Sequence, residues 1–203
     1  MSRLTNEMAT FGDLTELLVQ KVRELHRMCD EFKLHATKYQ ILVHVDMQKL
    51  YLIQSKKLIH SYLISTALNG TGQEKGSGKT PLGLHFIQKK IGEKAQPFEV
   101  FRSRRSTGKI AIADVGEKLI VGRILWLQGV QPGLNLGKDP LGNVVDSHGR
   151  YIYIHGTNDI AGIGRPVSEG CIRMKPEDVT ELFQYVTQGT PVYIYSVSPQ
   201  KSV

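Results

Sequence analysis

The stretch YIYIHGTNDIAGIGRPVSEGCIRM, residues 151–174, contains the features that decide the fold. It opens with an apolar run of β-branched and aromatic residues, typical of a buried strand, that leads into His155. After a polar loop, Gly170 precedes Cys171, and an apolar pattern then resumes. The stretch therefore predicts two strand segments that place a histidine and a cysteine at two chain reversals.

These residue types suit nucleophilic catalysis by a thiol. A free thiol has a pKa of about 8.5, so it needs a nearby base or positive charge to become a nucleophile. His155 is the candidate base, and Arg173 makes the surroundings of Cys171 electropositive. Gly170 permits a tight turn and leaves backbone N–H groups unobstructed for an oxyanion hole. A buried cysteine beside a satisfied strand-end histidine is the alternative, and spacing alone leaves it open.

The small number of cysteines limits the other kinds of site. Cys29 and Cys171 are the only two, so no disulfide framework is expected. Zinc is disfavoured because Cys171 and His155 supply two ligands where a site needs three or four. We therefore expect neither a metal nor a cofactor. Cys29 lies in an apolar helical stripe and is interpreted as a core residue.

Outward from this stretch, the pattern indicates strands upstream and a short helix downstream. Apolar residues with a period of two predict strands at 41–45, 50–53, 58–65, 84–91 and 118–127. Pro176, followed by two acidic residues, opens a predicted helix through Tyr185, and residues 192–195 form a last strand. From Asp13, apolar residues at steps of three and four predict an amphipathic helix, with Asp13 and Glu16 as its capping box. The fold class is mainly β.

The charge pattern indicates a bias toward anionic partners and no more. The net charge is +7, partly in short clusters such as Arg102–Arg105, and no nucleic-acid-binding motif accompanies them. The glycine-rich run GQEKGSGKT, residues 72–80, is similar to a phosphate-binding loop. However, five residues separate Gly72 from Gly78 where that motif has four, and Pro81 follows where a helix would begin. We expect neither nucleotide nor nucleic acid as a partner.

The chain resembles the YkuD-like L,D-transpeptidase family in three consecutive features: the predicted strand, the sequence HGT at 155–157 and the sequence SEGCIRM at 168–174. The signature of that family is a strand ending in HGT followed by S-H-G-C-I-R. The segments ILVHVDMQKLYLIQ, SYLISTALNG and GKTPLGLHFI are similar to the opening strands of the family, so the resemblance covers roughly residues 39–196. It implies a β-sandwich-like catalytic domain at 39–197. An N-terminal helical extension at 1–38 and a tail at 198–203 lie on either side of that domain.

The resemblance implies that Cys171 attacks the carbonyl of a diamino acid joined to a terminal D-alanine, with His155 as base. It also assigns a backbone role to Cys171 itself and roles to six other positions of the motif. The backbone amides of Glu169, Gly170 and Cys171 form the oxyanion hole, the Gly156 carbonyl orients His155, and Arg173, Ser168 and Thr157 bind substrate. Arginine suits a carboxylate because its planar fork donates two hydrogen bonds.

Glu169 departs from the family, which usually has a second histidine there. A carboxylate that faced Cys171 would disfavour the thiolate and raise the pKa of the cysteine. We therefore expect the Glu169 side chain to point away from Cys171, or to meet Arg173 or an ammonium group of the substrate.

The implied partners are peptidoglycan stem peptides or muropeptides. The acidic N-terminus has no uninterrupted apolar run, and no stretch reaches the ~18 apolar residues of a membrane span, so we expect a cytoplasmic protein. A cytoplasmic enzyme would hydrolyse recycled muropeptides as an L,D-carboxypeptidase. The alternatives are an L,D-transpeptidase of the periplasm or cell envelope that makes 3-3 cross-links, and an inactive wall-binding module. The oligomeric state stays open.

Overall fold

The computed structural model describes residues 11–35 and 37–198, and the side chains from residue 14 onward. Two helices and ten strands lie within these ranges. The helices are α1 (Phe11–Glu31) and α2 (Pro176–Tyr185). The strands are β1 (Tyr39–His44), β2 (Lys49–Gln54), β3 (Lys57–Ser65), β4 (Gly83–Ile91), β5 (Glu99–Arg102), β6 (Arg105–Ile110), β7 (Ile120–Gly129), β8 (Tyr153–Thr157), β9 (Ile172–Met174) and β10 (Pro191–Tyr195). The mainly-β prediction with one short internal helix is confirmed.

The strands form one continuous sheet in the order β4-β10-β1-β2-β3-β9-β8-β7-β5-β6. An additional pairing of β4 with β7 closes eight of these strands into a ring, because β4 and β7 then pair with each other as well as with their other neighbours. The pairs β1–β10 and β8–β9 are parallel, and the other ladders are antiparallel. The β5–β6 hairpin lies outside the ring and is attached to the first half of β7.

The core lies inside the ring, and the alternation of side chains along each strand fills it. Ile41 and Val43 of β1, for example, face this core, while Leu42 between them faces the opposite side of the sheet. Helix α2 adds Leu182 and Phe183 to the same cluster. Its start is favoured by Pro176 at the first helical position and by acidic residues in the first turn. Every strand of the ring thus contributes to one apolar interior.

Helix α1 packs on the outer face of β1, β2, β4 and β10. Val22, Leu25 and Cys29 of α1 are buried against Leu42 and Tyr51 of the sheet. The interpretation of Cys29 as a core residue is therefore confirmed. The predicted capping box is wrong, because residue 13 lies inside α1. The proposed domain boundary at 38/39 and the tail, of which residues 199–203 lie outside the described residues, stay predictions.

Two segments differ from what the sequence indicates. The basic stretch between residues 91 and 118, where no strand is predicted, forms the β5–β6 hairpin. Its second strand is exposed along its whole length and therefore lacks an apolar period. The strand expected from residue 151 begins at Tyr153. Tyr151 has a φ of +60°, a left-handed conformation that cannot continue an extended strand.

His85 ties β4 to the long loop that precedes β8. Its ring is fully buried, and it bonds the Gly83 carbonyl at 3.0 Å through Nδ1 and the Ser147 hydroxyl at 2.9 Å through Nε2. Burial lowers the pKa of His85 to about 4, although the Gly83 carbonyl opposes this shift. The folded protein therefore favours the neutral imidazole of His85 over the protonated form.

Protonation of His85 is predicted to destabilise the fold. Because its folded pKa lies below the unfolded value of about 6.5, the unfolded chain binds the extra proton between these values, and stability is lost as the pH falls from 6.5 through 4. Urea unfolding of the wild type and of His85→Asn should show that the stability advantage of the wild type shrinks by about 2 kcal/mol between pH 7.5 and pH 5. The exposed His35→Asn variant is the control, and parallel pH curves for wild type and His85→Asn would contradict this prediction.

Candidate active site

The parallel pairing of β8 with β9 brings the predicted histidine and cysteine together. Ile154 is paired with Ile172 and both face the core, so the alternating positions His155 and Arg173 face the other side of the sheet. Cys171 immediately precedes β9 and shares that face. His155 lies within β8 and not at a chain reversal, which corrects the sequence-based expectation. A pocket of about 260 Å³ is lined by Lys118, Leu119, Ile120, His155, Glu169, Cys171 and Arg173.

The His155 ring is fixed by one hydrogen bond to the adjacent backbone. Nδ1 lies 2.8 Å from the Gly156 carbonyl oxygen, which only accepts, so Nδ1 carries the proton and Nε2 has a free lone pair. Burial lowers the pKa of His155 to about 4; the Gly156 carbonyl opposes this shift and the positive charge of Arg173 adds to it. The imidazole is therefore neutral at neutral pH and can accept a proton.

Gly156 is required at this position by packing. A Cβ atom there would lie 2.5 Å from the carbonyl oxygen of Val121 on the neighbouring strand β7 and 3.2 Å from the Val179 side chain on α2. A larger residue would push β8 away from β7 and turn the carbonyl that holds His155. The orienting role of Gly156, implied by the family resemblance, therefore has a matching contact.

The Cys171 thiol is partly exposed and donates a hydrogen bond to the Tyr151 carbonyl at 3.4 Å, not to His155. Burial raises the pKa of the thiol. A backbone hydrogen bond from Tyr153 and the positive charges of Arg173 and Arg150 oppose that shift, while the negative charge of Glu169 adds to it. The two shifts act in the same sense, since both favour a neutral thiol beside a neutral imidazole.

The turn before Cys171 is held by internal hydrogen bonds. Ser168, 2% exposed, donates from Oγ to the Cys171 carbonyl at 2.6 Å and accepts from the Gly170 N–H at 3.2 Å. Gly170 has a φ of +126°, and a Cβ atom there would lie 3.2 Å from the Lys79 carbonyl. Two consequences follow. The Ser168 hydroxyl positions the turn, and the Gly170 N–H, one of the three expected oxyanion donors, is already engaged.

Two further expected substrate-binding residues are engaged within the protein. Arg173 has a side chain 11% exposed, lies 3.6 Å from Asp159 Oδ2, and donates to the Val167 carbonyl at 3.3 Å. Thr157 is 1% exposed, and its hydroxyl accepts from the Asp159 N–H. Arg173 thus has a carboxylate partner in Asp159, which it shares with Lys118 at 2.8 Å. Contact of either side chain with substrate stays a prediction.

Glu169 lies at the pocket beside Cys171, and its expected contact with Arg173 is not made. Arg173 pairs with Asp159, and no ion pair or hydrogen bond of the Glu169 side chain occurs within residues 11–35 and 37–198. The side chain is exposed, lines the pocket and raises the pKa of Cys171. The two other options, a side chain that points away from Cys171 and a contact with an ammonium group of the substrate, stay predictions.

Arg150 is a site residue that the sequence did not reveal. Its guanidinium donates to the carbonyls of Gly72, Gln73 and Lys79 at 2.6 to 3.2 Å, and its positive charge lowers the pKa of Cys171. No carboxylate pairs with it in the part of the chain that the structure describes. Its partners lie 71 to 78 residues earlier, so no local pattern indicates the contact.

A cluster of aromatic residues lies beside the Cys171 thiol, and the sequence did not indicate this cluster. Cys171 packs against a cluster that includes Trp126 and Tyr153. Arg104, at the tip of the β5–β6 hairpin, lies 4.9 Å above the Trp126 ring and 5.1 Å above the Tyr151 ring. A basic hairpin tip over two rings is a cation–π contact, and it places part of the Arg102–Arg105 cluster at the rim of the site.

Neither a metal centre nor a membrane helix is found in the described ranges. No group of three or more histidine, cysteine, aspartate or glutamate side chains there could hold a metal ion. In the same ranges, no helix combines the length and apolar character needed to cross a membrane.

Comparison with known proteins identifies a family. The family model for the L,D-transpeptidase catalytic domain, YkuD, matches residues 38–194. Three curated relatives are aligned with shorter segments. The putative L,D-transpeptidase YkuD of Bacillus subtilis is 58% identical over 41 residues, which are 20% of this chain and 25% of the relative. YqjB of Bacillus subtilis is 41% identical over 69 residues, 34% of this chain and 39% of the relative. The probable L,D-transpeptidase ErfK/SrfK of Salmonella typhimurium is 43% identical over 70 residues, 32% and 23% of the two chains.

The chain spans less than two fifths of the length of these curated relatives. Among solved structures, Bd1075 of Bdellovibrio bacteriovorus is similar with a TM-score of 0.50 and 19% identity, over 78% of this chain and 48% of the other. An L,D-transpeptidase from Mycobacterium smegmatis has a TM-score of 0.48 and 14% identity, over 78% and 58% of the two chains. At 19% identity, the likeness to Bd1075 concerns the fold alone.

The positive charge of Arg150 is predicted to promote ionisation of Cys171. Replacing it in Arg150→Gln should raise the pKa of Cys171 and slow alkylation by iodoacetamide at pH 7.5 by about three- to tenfold. The measurement is the pH dependence of the alkylation rate. It is made in a Cys29→Ala background, so that the rate measured is that of Cys171.

Two variants control this measurement. Arg150→Lys keeps the charge and should keep most of the rate, and Arg102→Gln removes an exposed arginine that pairs with Glu117. An Arg150→Gln profile that coincides with that of the parent would show that Arg150 acts only as a tie between loops.

Proposed function

The chain belongs to the family of L,D-transpeptidase catalytic domains, and we propose that Cys171 forms an acyl-enzyme with the tetrapeptide stems of peptidoglycan. The family match over residues 38–194 supports the substrate class. The observation that carries the chemistry is the placement of a neutral His155 and the Cys171 thiol on one face, around one pocket. A neutral imidazole with a free Nε2 is the base that a protonated thiol requires.

The first half-reaction transfers the peptide to sulfur. Cys171 Sγ attacks the carbonyl carbon between the diamino acid and D-alanine, and its proton passes to His155 Nε2. The C–N bond then breaks, the proton moves from Nε2 to the departing amine, and D-alanine leaves. A thioester remains on Cys171, and His155 is neutral again, so the imidazolium exists only during the reaction, when Arg173 nearby makes it a strong acid.

Negative charge on the carbonyl oxygen requires donors near Sγ. The backbone amides of Glu169 and Cys171 are the proposed oxyanion donors, with the Gly170 N–H joining them by leaving the Ser168 hydroxyl. The turn is stiff because Thr80 Oγ1 donates to the Gly170 carbonyl at 3.0 Å. The Glu169 and Cys171 amides can therefore stabilise the oxyanion with the turn in place, and the Gly170 N–H is the donor that must exchange its partner.

Hydrolysis of the thioester is the first candidate for the second half-reaction. Water attacks the thioester carbonyl with His155 as base, which releases a tripeptide and the free thiol, as in an L,D-carboxypeptidase. Transfer to an amine of a second stem, which makes a 3-3 cross-link, is the second candidate. The names of the curated relatives favour it, since they are described as probable or putative L,D-transpeptidases.

A wall-binding module with an inactive site is the alternative from another class. The thiol, the oriented imidazole and the glycine turn speak against it, because each is held by contacts that peptide binding alone does not require.

Turnover of a defined muropeptide tests the proposed function. Pure protein is incubated with disaccharide tetrapeptide, with and without an acceptor stem peptide, and products are measured by mass spectrometry. Tripeptide and D-alanine are expected, and loss of His155 as base in His155→Asn should lower the rate by about 100-fold or more. An acceptor-dependent dimer identifies transpeptidation.

The control variant is Cys29→Ala, which removes the buried thiol on α1 and should keep the activity. Cys171→Ala should release no D-alanine. Binding of the tetrapeptide without turnover by the wild type would contradict the enzyme proposal and favour the wall-binding module.

A further inference from the structure

We propose that Tyr151 and Arg104 are positioning residues that hold the Cys171 thiol in a resting orientation, directed at Tyr151 and not at His155. The backbone carbonyl of Tyr151 accepts the S–H hydrogen bond at 3.4 Å, and the Arg104 guanidinium lies 5.1 Å above the Tyr151 ring. The inference rests on the proposed function, because it concerns the thiol that the proposed reaction uses. It adds a restraint on that thiol which acts before a peptide binds.

The direction of the Tyr151 carbonyl is fixed by the backbone around it. Tyr151 has a φ of +60°, so the chain turns at this residue before β8 begins. On the other side of the same peptide group, the Ile152 N–H donates to the Ser147 carbonyl at 3.1 Å. Because the C=O and N–H of a trans peptide point in opposite directions, the Tyr151 carbonyl points away from Ser147, and it meets Cys171.

Two left-handed residues other than glycine contact each other at this place. A left-handed backbone disfavours bulky side chains, whereas glycine adopts it at no steric cost. Tyr151 has this conformation, and so do Ser103 and Arg104, with φ values of +48° and +66°, at the tip of the β5–β6 hairpin. Such tips favour asparagine and glycine. Glycine at either position would relieve the backbone but would remove the contact between the Arg104 guanidinium and the Tyr151 ring, so the strain points to a role for that contact.

Arg104 is itself held by aromatic residues. Its guanidinium lies 4.9 Å above the Trp126 ring as well as above Tyr151, and it donates to the Tyr153 hydroxyl at 3.3 Å. Trp126 is fixed in turn, because its ring stacks on His148 at 4.0 Å and its Nε1 donates to the His148 carbonyl at 3.1 Å. The hairpin tip is thereby fastened to the loop that contains Tyr151.

The contact with Tyr151 favours the neutral form of Cys171. A hydrogen bond from S–H to a carbonyl exists only in the thiol form, so it stabilises the thiol over the thiolate. The proton must leave the Tyr151 carbonyl before it can pass to His155 Nε2. Once it has left, the backbone N–H of Tyr153 lowers the pKa of Cys171 and favours the thiolate. Loosening Tyr151 should therefore make Cys171 more reactive.

Alkylation by iodoacetamide at pH 7.5, in a Cys29→Ala background, tests the contact of Arg104 with Tyr151. Arg104→Gln should raise the rate about threefold, because a loosened Tyr151 releases a weak hydrogen bond of the thiol. Loss of a positive charge alone would instead slow the reaction, so the sign of the change separates positioning from electrostatics. Arg105→Gln removes the neighbouring exposed arginine and is the matched control, which should not accelerate the reaction. An unchanged or lower rate in Arg104→Gln would overturn the inference.

The S–H stretching band in the infrared reports the contact directly. Other protein groups do not absorb in that region, and Cys171 is the one thiol left in the Cys29→Ala background. Arg104→Gln should move the band to higher frequency, as expected for a weaker hydrogen bond. Tyr151→Val should move it further, because a β-branched residue disfavours the left-handed backbone, whereas Tyr151→Gly keeps that backbone and should keep the band.

A double variant shows whether Arg104 acts through Tyr151. In a Tyr151→Gly background, Arg104 has no ring at position 151 to hold, so Arg104→Gln should leave the S–H band unchanged. A shift as large as that seen with Tyr151 present would refute the proposed route from Arg104 to the thiol.

Neither measurement needs a peptide, so this inference and the proposed function can fail separately. If Arg104→Gln changes both the band and the rate as expected but the wild type cleaves no disaccharide tetrapeptide, the positioning of the thiol stands and the proposed function fails. If the tetrapeptide is cleaved but Arg104→Gln changes neither the band nor the rate, the reaction stands and the positioning role fails.

Discussion

The parallel pairing of β8 with β9 is the constraint on which the rest of the site depends. Ile154 and Ile172 are paired with each other and buried in the core. Because successive side chains of a strand point to opposite faces, His155 and Arg173 must face the other side of the sheet. A shift of either strand by one residue would bury the histidine in the apolar core and expose isoleucine. The free energy that stabilises the core thereby also fixes the register of the catalytic groups.

A second layer of contacts supports that pairing from distant parts of the chain. The glycine-rich loop at residues 69–80 reaches the turn before Cys171 through Thr80 and is tied to the start of β8 through Arg150. This loop resembles a phosphate-binding motif in sequence, but in the fold it supports the turn before Cys171 through the hydrogen bond from Thr80. The same loop contributes Lys75 to the larger pocket that borders Glu169.

The parts of this account that the sequence could predict are those set by local patterns. The period of two around residue 154 and Pro176 at the start of α2 predict their elements because neighbouring residues determine them. Arg150 could not be recognised, since its acceptors are carbonyls more than seventy residues away. The sequence pattern predicts a strand at Tyr151, because nothing in the sequence signals that this bulky residue adopts a left-handed backbone conformation. The cytoplasmic location stays a prediction from the N-terminal residues.

The central claim is that Cys171, activated by a neutral His155, carries the peptide as a thioester. Its most direct test is acid quenching of the wild type during turnover of the disaccharide tetrapeptide, followed by intact-protein and peptide mass spectrometry. The account predicts an adduct with the mass of the acyl tripeptide muropeptide, located on Cys171 and absent in His155→Asn at the same early times. An adduct on another residue, or D-alanine release that persists in Cys171→Ala, would contradict it.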